Sequence, residues 1–123
     1  MSPRPRVLLA DDYPDIVTAV SRLLAADCEI VGSVTDGATL VETAQRLQPD
    51  VVVLDVNLPN VDSLEACRDI VRSNPTMKVI MFSAFHDPNA RQSFVDAGAS
   101  GFVSKLASIE LLPTIKRLYI DRR

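Results

Sequence analysis

Few glycines, few cysteines and no long apolar run mark this chain, and each shortage excludes a class of protein. The four glycines, Gly32, Gly37, Gly98 and Gly101, never form a GxGxxG turn, so a dinucleotide-binding fingerprint is missing. The two cysteines, Cys28 and Cys67, are too few and too far apart for a disulfide framework or a CxxC redox or zinc pair, and they read as packing residues. No apolar run reaches the length of a membrane span. The one behind the basic start, Val7 to Ala10, is shorter than the roughly 7–15 apolar residues of a signal peptide. Lysine and arginine form no block before the pairs Lys116-Arg117 and Arg122-Arg123, and the net charge is -3, so no direct nucleic-acid partner is expected. These exclusions predict a cytoplasmic protein without membrane association. With 123 residues, 47% of them apolar, the chain can build one compact domain with a sizeable core over residues 1–123.

What is present centres on Val51-Val52-Val53-Leu54-Asp55. The run is β-branched and wholly apolar until its last residue, as in a strand covered on both faces, and Asp55 marks the point where the chain leaves the core. The pattern recurs: Val7-Leu8-Leu9-Ala10 ends in Asp11-Asp12, Val79-Ile80-Met81-Phe82 ends in Ser83, and Phe102-Val103 is followed by Ser104-Lys105. A less apolar strand, Cys28 to Val34, suits a sheet edge.

Helices alternate with these strands. Pro14 opens the first, over residues 14–26, with Ile16, Ala19, Val20, Leu23 and Leu24 on one face. A second carries Leu40, Val41, Ala44 and Leu47 and stops before Pro49. Asp62 and Glu65 form a capping-box pattern for a third, from Ser63 to Ser73, ended by Asn74-Pro75. Asp87-Pro88 starts a fourth that stops near Ala97-Gly98. Ser108 is the expected cap of a last helix with Ile109, Leu112, Ile115, Leu118 and Tyr119 on its apolar side and a kink at Pro113. Strand then helix, five times over, predicts a doubly wound, flavodoxin-like α/β fold: a five-stranded parallel sheet with five helices, for which 2-1-3-4-5 is the common strand order.

Parallel strands put all their polar ends on one rim, the place where such sheets bind ligands. Asp11, Asp12 and Asp55 would repel one another there unless a cation offset them or a pKa rose. Carboxylate, carbonyl and water ligands suit Mg²⁺, and an Mg²⁺-supported carboxylate beside Lys105 suits phosphoryl transfer, with Ser83 able to donate to a phosphoryl oxygen. Asp62 and Asp87 are accounted for as helix caps. His86, the only histidine, reads as a solvated loop residue.

The pieces Leu9-Ala10-Asp11-Asp12, Leu54-Asp55-Val56-Asn57-Leu58-Pro59, Phe82-Ser83-Ala84 and Gly101-Phe102-Val103-Ser104-Lys105, in this order and at these spacings, resemble the receiver domain of two-component response regulators, most closely those of the LuxR/NarL DNA-binding class. The resemblance implies that Asp55 accepts a phosphoryl group from a sensor histidine kinase or phosphotransfer protein. It implies Mg²⁺ held by Asp12, Asp55 and the backbone carbonyl of Asn57, with Asp11 acting through water. Lys105 would pair with the phosphoryl oxygens, while Ser83 and Phe102 would form the switch that carries phosphorylation to residues 87–119, a face for homodimers or partners bounded by Asp87 and Tyr119.

The sequence departs from the family at two places. Leu106 follows Lys105 where proline is common, leaving the isomer of that peptide bond open, and Ser63 stands where glycine is common. No output domain is expected within the chain. A haloacid-dehalogenase-type phosphatase would need a second acid two residues after its nucleophile, where Asn57 stands. The remaining alternative is a pseudo-receiver, an interaction module regulated without phosphate.

Overall fold

The computed structural model describes residues 4–84 and 87–121. Each expected apolar run forms a strand: β1 (Arg6–Ala10), β2 (Glu29–Val34), β3 (Val51–Asp55), β4 (Lys78–Ser83) and β5 (Gly101–Ser104). All pair in parallel, in the order β2-β1-β3-β4-β5. β3 is central and every one of its residues is buried, which is why its sequence shows no alternation. Between the strands run α1 (Pro14–Leu24), α2 (Leu40–Leu47), α3 (Ser63–Ser73), α4 (Pro88–Asp96) and α5 (Leu111–Asp121).

Alternate strand residues feed two separate cores, as a pleated sheet demands. Val7, Leu9, Val51, Val53, Ile80, Phe82 and Val103 face Val20 and Leu24 of α1 and Leu111, Ile115 and Leu118 of α5. Leu8, Ala10, Val52, Leu54, Val79 and Met81 face α2 through Leu40 and Ala44, α3 through Ala66, Cys67 and Ile70, and α4 through Phe94. Side chains of this size contribute about 1.5–3 kcal/mol each on full burial, so both cores hold the strand ends in register. Cys28 and Cys67 are buried free thiols in opposite cores; burial raises both, Cys67 to about 11, which suits packing residues.

The caps follow the sequence at α3 and α4. Asp62 accepts the N–H groups of Leu64 and Glu65, and Asp87 accepts that of Asn89. Glu65 turns to Arg68 instead of closing the capping box. Gly98, at φ +105°, follows α4 in a conformation that a side chain would strain.

The last helix corrects the sequence reading. A 3₁₀ segment, Lys105–Glu110, is capped by the Ser104 hydroxyl, which accepts the Leu106 N–H at 3.1 Å. The backbone leaves helical geometry at Ala107 (φ -132°, ψ 45°), and α5 begins only at Leu111. Pro113 therefore lies in the first turn, where its missing N–H has no intrahelical partner to lose, and the break falls before it. Ser108 is not the cap, and Ile109 is 74% exposed instead of lying on the apolar side. The Lys105-Leu106 peptide is trans. α1 also ends at Leu24, two residues short of the expected end.

Candidate functional site

The rim at the carboxyl ends of β1, β3 and β5 gathers the expected charged residues. Carboxylate oxygens of Asp11, Asp12 and Asp55 all lie within 4.8 Å of one another. Asp11 and Asp55 are 4% and 5% exposed, while Asp12 is open to water, so the cluster has a closed side and an open one. Lys105 reaches in from the end of β5. Its Nζ lies 2.7 Å from Asp11 Oδ2, 3.4 Å from Asp55 Oδ2 and 5.6 Å from the centre of the Phe82 ring.

Local backbone fixes each acid. The Tyr13 N–H donates to Asp11 Oδ1 at 3.0 Å, and the Asn57 N–H donates to Asp55 Oδ1 at 3.0 Å. These turns leave the second oxygen of each carboxylate facing the rim. Burial pushes the Asp55 carboxyl above its ordinary range, and the Asp11 charge pushes the same way, against the Asn57 N–H and the Lys105 ammonium. Burial also disfavours the charged form of Lys105, but its bonds and proximity to Asp11 and Asp55 outweigh that and hold the ammonium above its ordinary value.

The donor set fits a hard divalent cation. Asp11 Oδ2 is buried with the Lys105 ammonium 2.7 Å away as its charged neighbour, and no other polar group among the described residues bonds to it. Three carboxylates with one exposed member match the oxygen-rich, partly hydrated coordination that Mg²⁺ takes.

Ser83 and Phe102 sit on neighbouring strands at the same end of the sheet, where Ser83 pairs with Ser104 and Met81 with Phe102. Both line a pocket of about 260 Å³ between β4, β5 and α4, together with Asn57. The structure thus brings Asp11, Asp12, Asp55 and Lys105 into one cluster, and Ser83, Phe102 and Asn57 into the pocket beside it. His86, and Phe85, which the receiver resemblance puts beside the phosphate with Asn57, lie outside the described residues.

Two supports went unread in the sequence. Ser63 is buried at the first position of α3, and its hydroxyl donates to the Asp55 carbonyl at 3.1 Å, tying the helix start to the acid's own backbone. The second is a latch between loops: the Gly37 N–H donates to the Pro59 carbonyl at 2.8 Å, and Asn60 Nδ2 donates to Asp36 Oδ2. The Ala38 N–H and Asn60 hold the Asp36 carboxyl below its ordinary range. A side chain at position 37 would overlap Val61, so glycine is needed for the approach.

Comparison with known proteins points to one family. The chain is 32% identical over 121 residues to response regulator GacA of Pseudomonas viridiflava, covering 96% of this chain and 56% of that protein. It is 33% identical over 99 residues to the DNA-binding transcriptional activator EvgA of Escherichia coli K12, covering 80% of this chain and 48% of that one. The chain thus spans about half the length of these relatives. Among solved structures, a LuxR-family two-component response regulator from Aurantimonas superposes with a TM-score of 0.90 at 27% identity, covering 98% of this chain and 89% of that chain. The response regulator domain of Thermotoga maritima CheB gives 0.87 at 27% identity, covering 96% and 98%. Residues 7–116 match the family described as the response regulator receiver domain, and the chain belongs to that family.

Proposed function

We propose that Asp55 is a phosphoacceptor whose modification, supported by Mg²⁺, switches the surface around α4, β5 and α5. The observation that carries the reading is the pairing of one ammonium with two buried carboxylates, Lys105 Nζ to Asp11 at 2.7 Å and to Asp55 at 3.4 Å, beside a third, exposed acid. A structural ion pair alone would need only one buried acid, since each additional one costs desolvation.

In this reading an Asp55 carboxylate oxygen attacks the phosphorus of a phosphohistidine on a sensor kinase or phosphotransfer protein. The P–N bond breaks, its electrons stay on the imidazole, and an acyl phosphate forms. Asp12, Asp55 and the Asn57 carbonyl would hold Mg²⁺, with Asp11 acting through water; the cation would supply positive charge against the acids and the phosphoryl oxygens. Lys105 faces the same oxygens from the β5 side. The Asn57 N–H fixes the Asp55 carboxylate so that its other oxygen points outward. Ser83 then turns toward the phosphoryl group, Phe102 turns inward, and the altered face of residues 87–119 changes self-association or partner binding.

As a receiver, the domain is a signalling element, and the only reaction proposed for it is on its own side chain. No described helix is long and apolar enough to cross a membrane. We place its kinase encounter in the cytoplasm and its domain boundary within residues 1–123, with any DNA contact left to other chains or segments.

The test is intact mass after acetyl phosphate treatment, with and without Mg²⁺, on wild type and Asp55→Asn. One phosphoryl group that needs both Mg²⁺ and Asp55 is the expected result. A folded wild type that takes up none would move the reading to a phosphate-independent interaction module. Sedimentation with and without beryllofluoride tests the output, and an unchanged mass would remove self-association from it.

A further inference from the structure

α4 holds the sheet more lightly than α3 does. Phe94 is its one buried residue, whereas α3 buries Ser63, Ala66, Cys67 and Ile70. Two contacts from α4 converge on a single ring of β5. Phe94 meets Phe102 edge to face, with centroids 6.4 Å apart and planes at 60°. Arg91, on the same face one turn earlier, places its guanidinium carbon 5.0 Å from the centre of the Phe102 ring. Among the described residues Arg91 makes no ion pair.

Phe102 is half-buried and lines the 260 Å³ pocket, as do Ser83 and Asn57. A cavity of about 150 Å³ accepts benzene, so the pocket has room for this ring. Arg91 and Phe94 line the same pocket, so beyond its present position against them the ring has room for a second one, turned toward Ser83 and Asn57.

We infer that Arg91 is a positioning residue that sets the balance between those two places, holding Phe102 outward and, through it, pinning α4 to β5. This rests on the reading of Phe102 and Ser83 as the switch pair. A guanidinium over an aromatic face is attracted by the ring's quadrupole, and the attraction is lost when the ring turns away. Arg91 is not among the residues proposed to hold the phosphoryl group or the cation. Its effect is on population: a ligand that binds with Phe102 inward is weakened in proportion to how rarely that state occurs, so removing the clasp strengthens binding.

The experiment uses the full chain labelled with 4-fluorophenylalanine, whose four resonances are sorted by a Phe102→Leu variant. Wild type, Arg91→Gln and Arg91→Lys are titrated with beryllofluoride and Mg²⁺ at 0.15 M salt. Arg91→Gln is expected to bind beryllofluoride about two- to fivefold more tightly, with Arg91→Lys between it and wild type. Loss of positive charge alone would act in the opposite direction, weakening an anion. Without ligand, the Phe102 resonance of Arg91→Gln should already lie part of the way to its bound position. An unshifted Phe102 resonance in Arg91→Gln, or weaker beryllofluoride binding, overturns the inference. If wild type binds no beryllofluoride, the Asp55 reading fails, and the fluorine spectrum of the unliganded variants still decides the role of Arg91.

Discussion

Replacing Lys105 with methionine removes one charge from the rim while keeping a flexible apolar stem. The ammonium sits 2.7 Å from Asp11 and 3.4 Å from Asp55, which at an effective dielectric of about 20 corresponds to gross attractions of roughly 6 and 5 kcal/mol. Much of that is spent on desolvating the lysine and opposing the repulsion between the acids. What the variant loses is closer to the cost of stranding buried charge, about 3–5 kcal/mol, and the open Asp12 side favours the lower end. At about 3 kcal/mol, a domain of this length should melt roughly 10–15 °C lower. Circular dichroism in EDTA at pH 7 reads this directly. Added Mg²⁺ should recover part of the loss, because a divalent cation offsets the same carboxylates. Asp55→Asn in the Lys105→Met background should recover part of it too, by removing one stranded charge, and the double-mutant cycle measures that coupling. The sign with pH is also fixed. The raised Lys105 pKa means that its contribution is present below the ordinary lysine range and is lost as pH rises through the raised value, so the gap between variant and wild type should persist through neutrality. A Lys105→Met protein within about 1 kcal/mol of wild type in EDTA would refute the electrostatic account of the rim.

Three further outcomes are expected. Asp55 binds its proton more tightly folded than unfolded, so this group's contribution to stability falls as pH rises from the ordinary carboxylate range through the raised value; Asp55→Asn should therefore melt above wild type at pH 7 and lose the advantage in the ordinary carboxylate range. Melts across pH 4–8 without Mg²⁺ test this, and a variant less stable at pH 7 contradicts it. Mg²⁺ at 100 times its dissociation constant should add about 2.7 kcal/mol to wild type and much less to Asp12→Asn, as followed by thermal shift against EDTA. Gly37→Ala places a Cβ 2.1 Å from Val61 Cγ1 and 3.0 Å from the Pro59 carbonyl, and should cost about 1–3 kcal/mol, seen as a lower urea midpoint with an unchanged slope.

Local signals were enough wherever one short stretch decided the outcome. α3 runs from Ser63 to Ser73 because Asp62 caps one end and Asn74-Pro75 closes the other, and both are visible in the chain. The site was legible for a related reason: a parallel sheet turns the order of apolar runs into a place, so Asp11, Asp55 and Lys105 meet once the strands are named. The end of the chain was not legible in the same way. Ser108 and Ser104 are both acceptable caps, and only the tether of Lys105 to the two acids shows why the segment after β5 first makes a 3₁₀ turn and delays α5 to Leu111. The Ser63 hydroxyl, the Asp36–Asn60 latch and the Arg91–Phe102 contact join residues far apart in sequence or on different elements. No periodicity encodes such pairs.

The same forces that destabilise the rim suit it to the proposed chemistry. A carboxylate must be ionised to attack phosphorus, yet burial and Asp11 resist that ionisation at Asp55, leaving the Asn57 N–H and Lys105 as its support within the chain. A cation bound among the acids would shift that balance in the direction the reaction needs. Lys105 rests closer to Asp11 than to Asp55, so new negative charge on Asp55 would draw the ammonium across the rim. In the proposed switch that movement has a path outward. Lys105 is the first residue of the 3₁₀ turn capped by Ser104 and lies three residues beyond the half-buried Phe102. In that proposal, a shift of its side chain would bear on the strand end that carries the aromatic ring, and through the ring on α4.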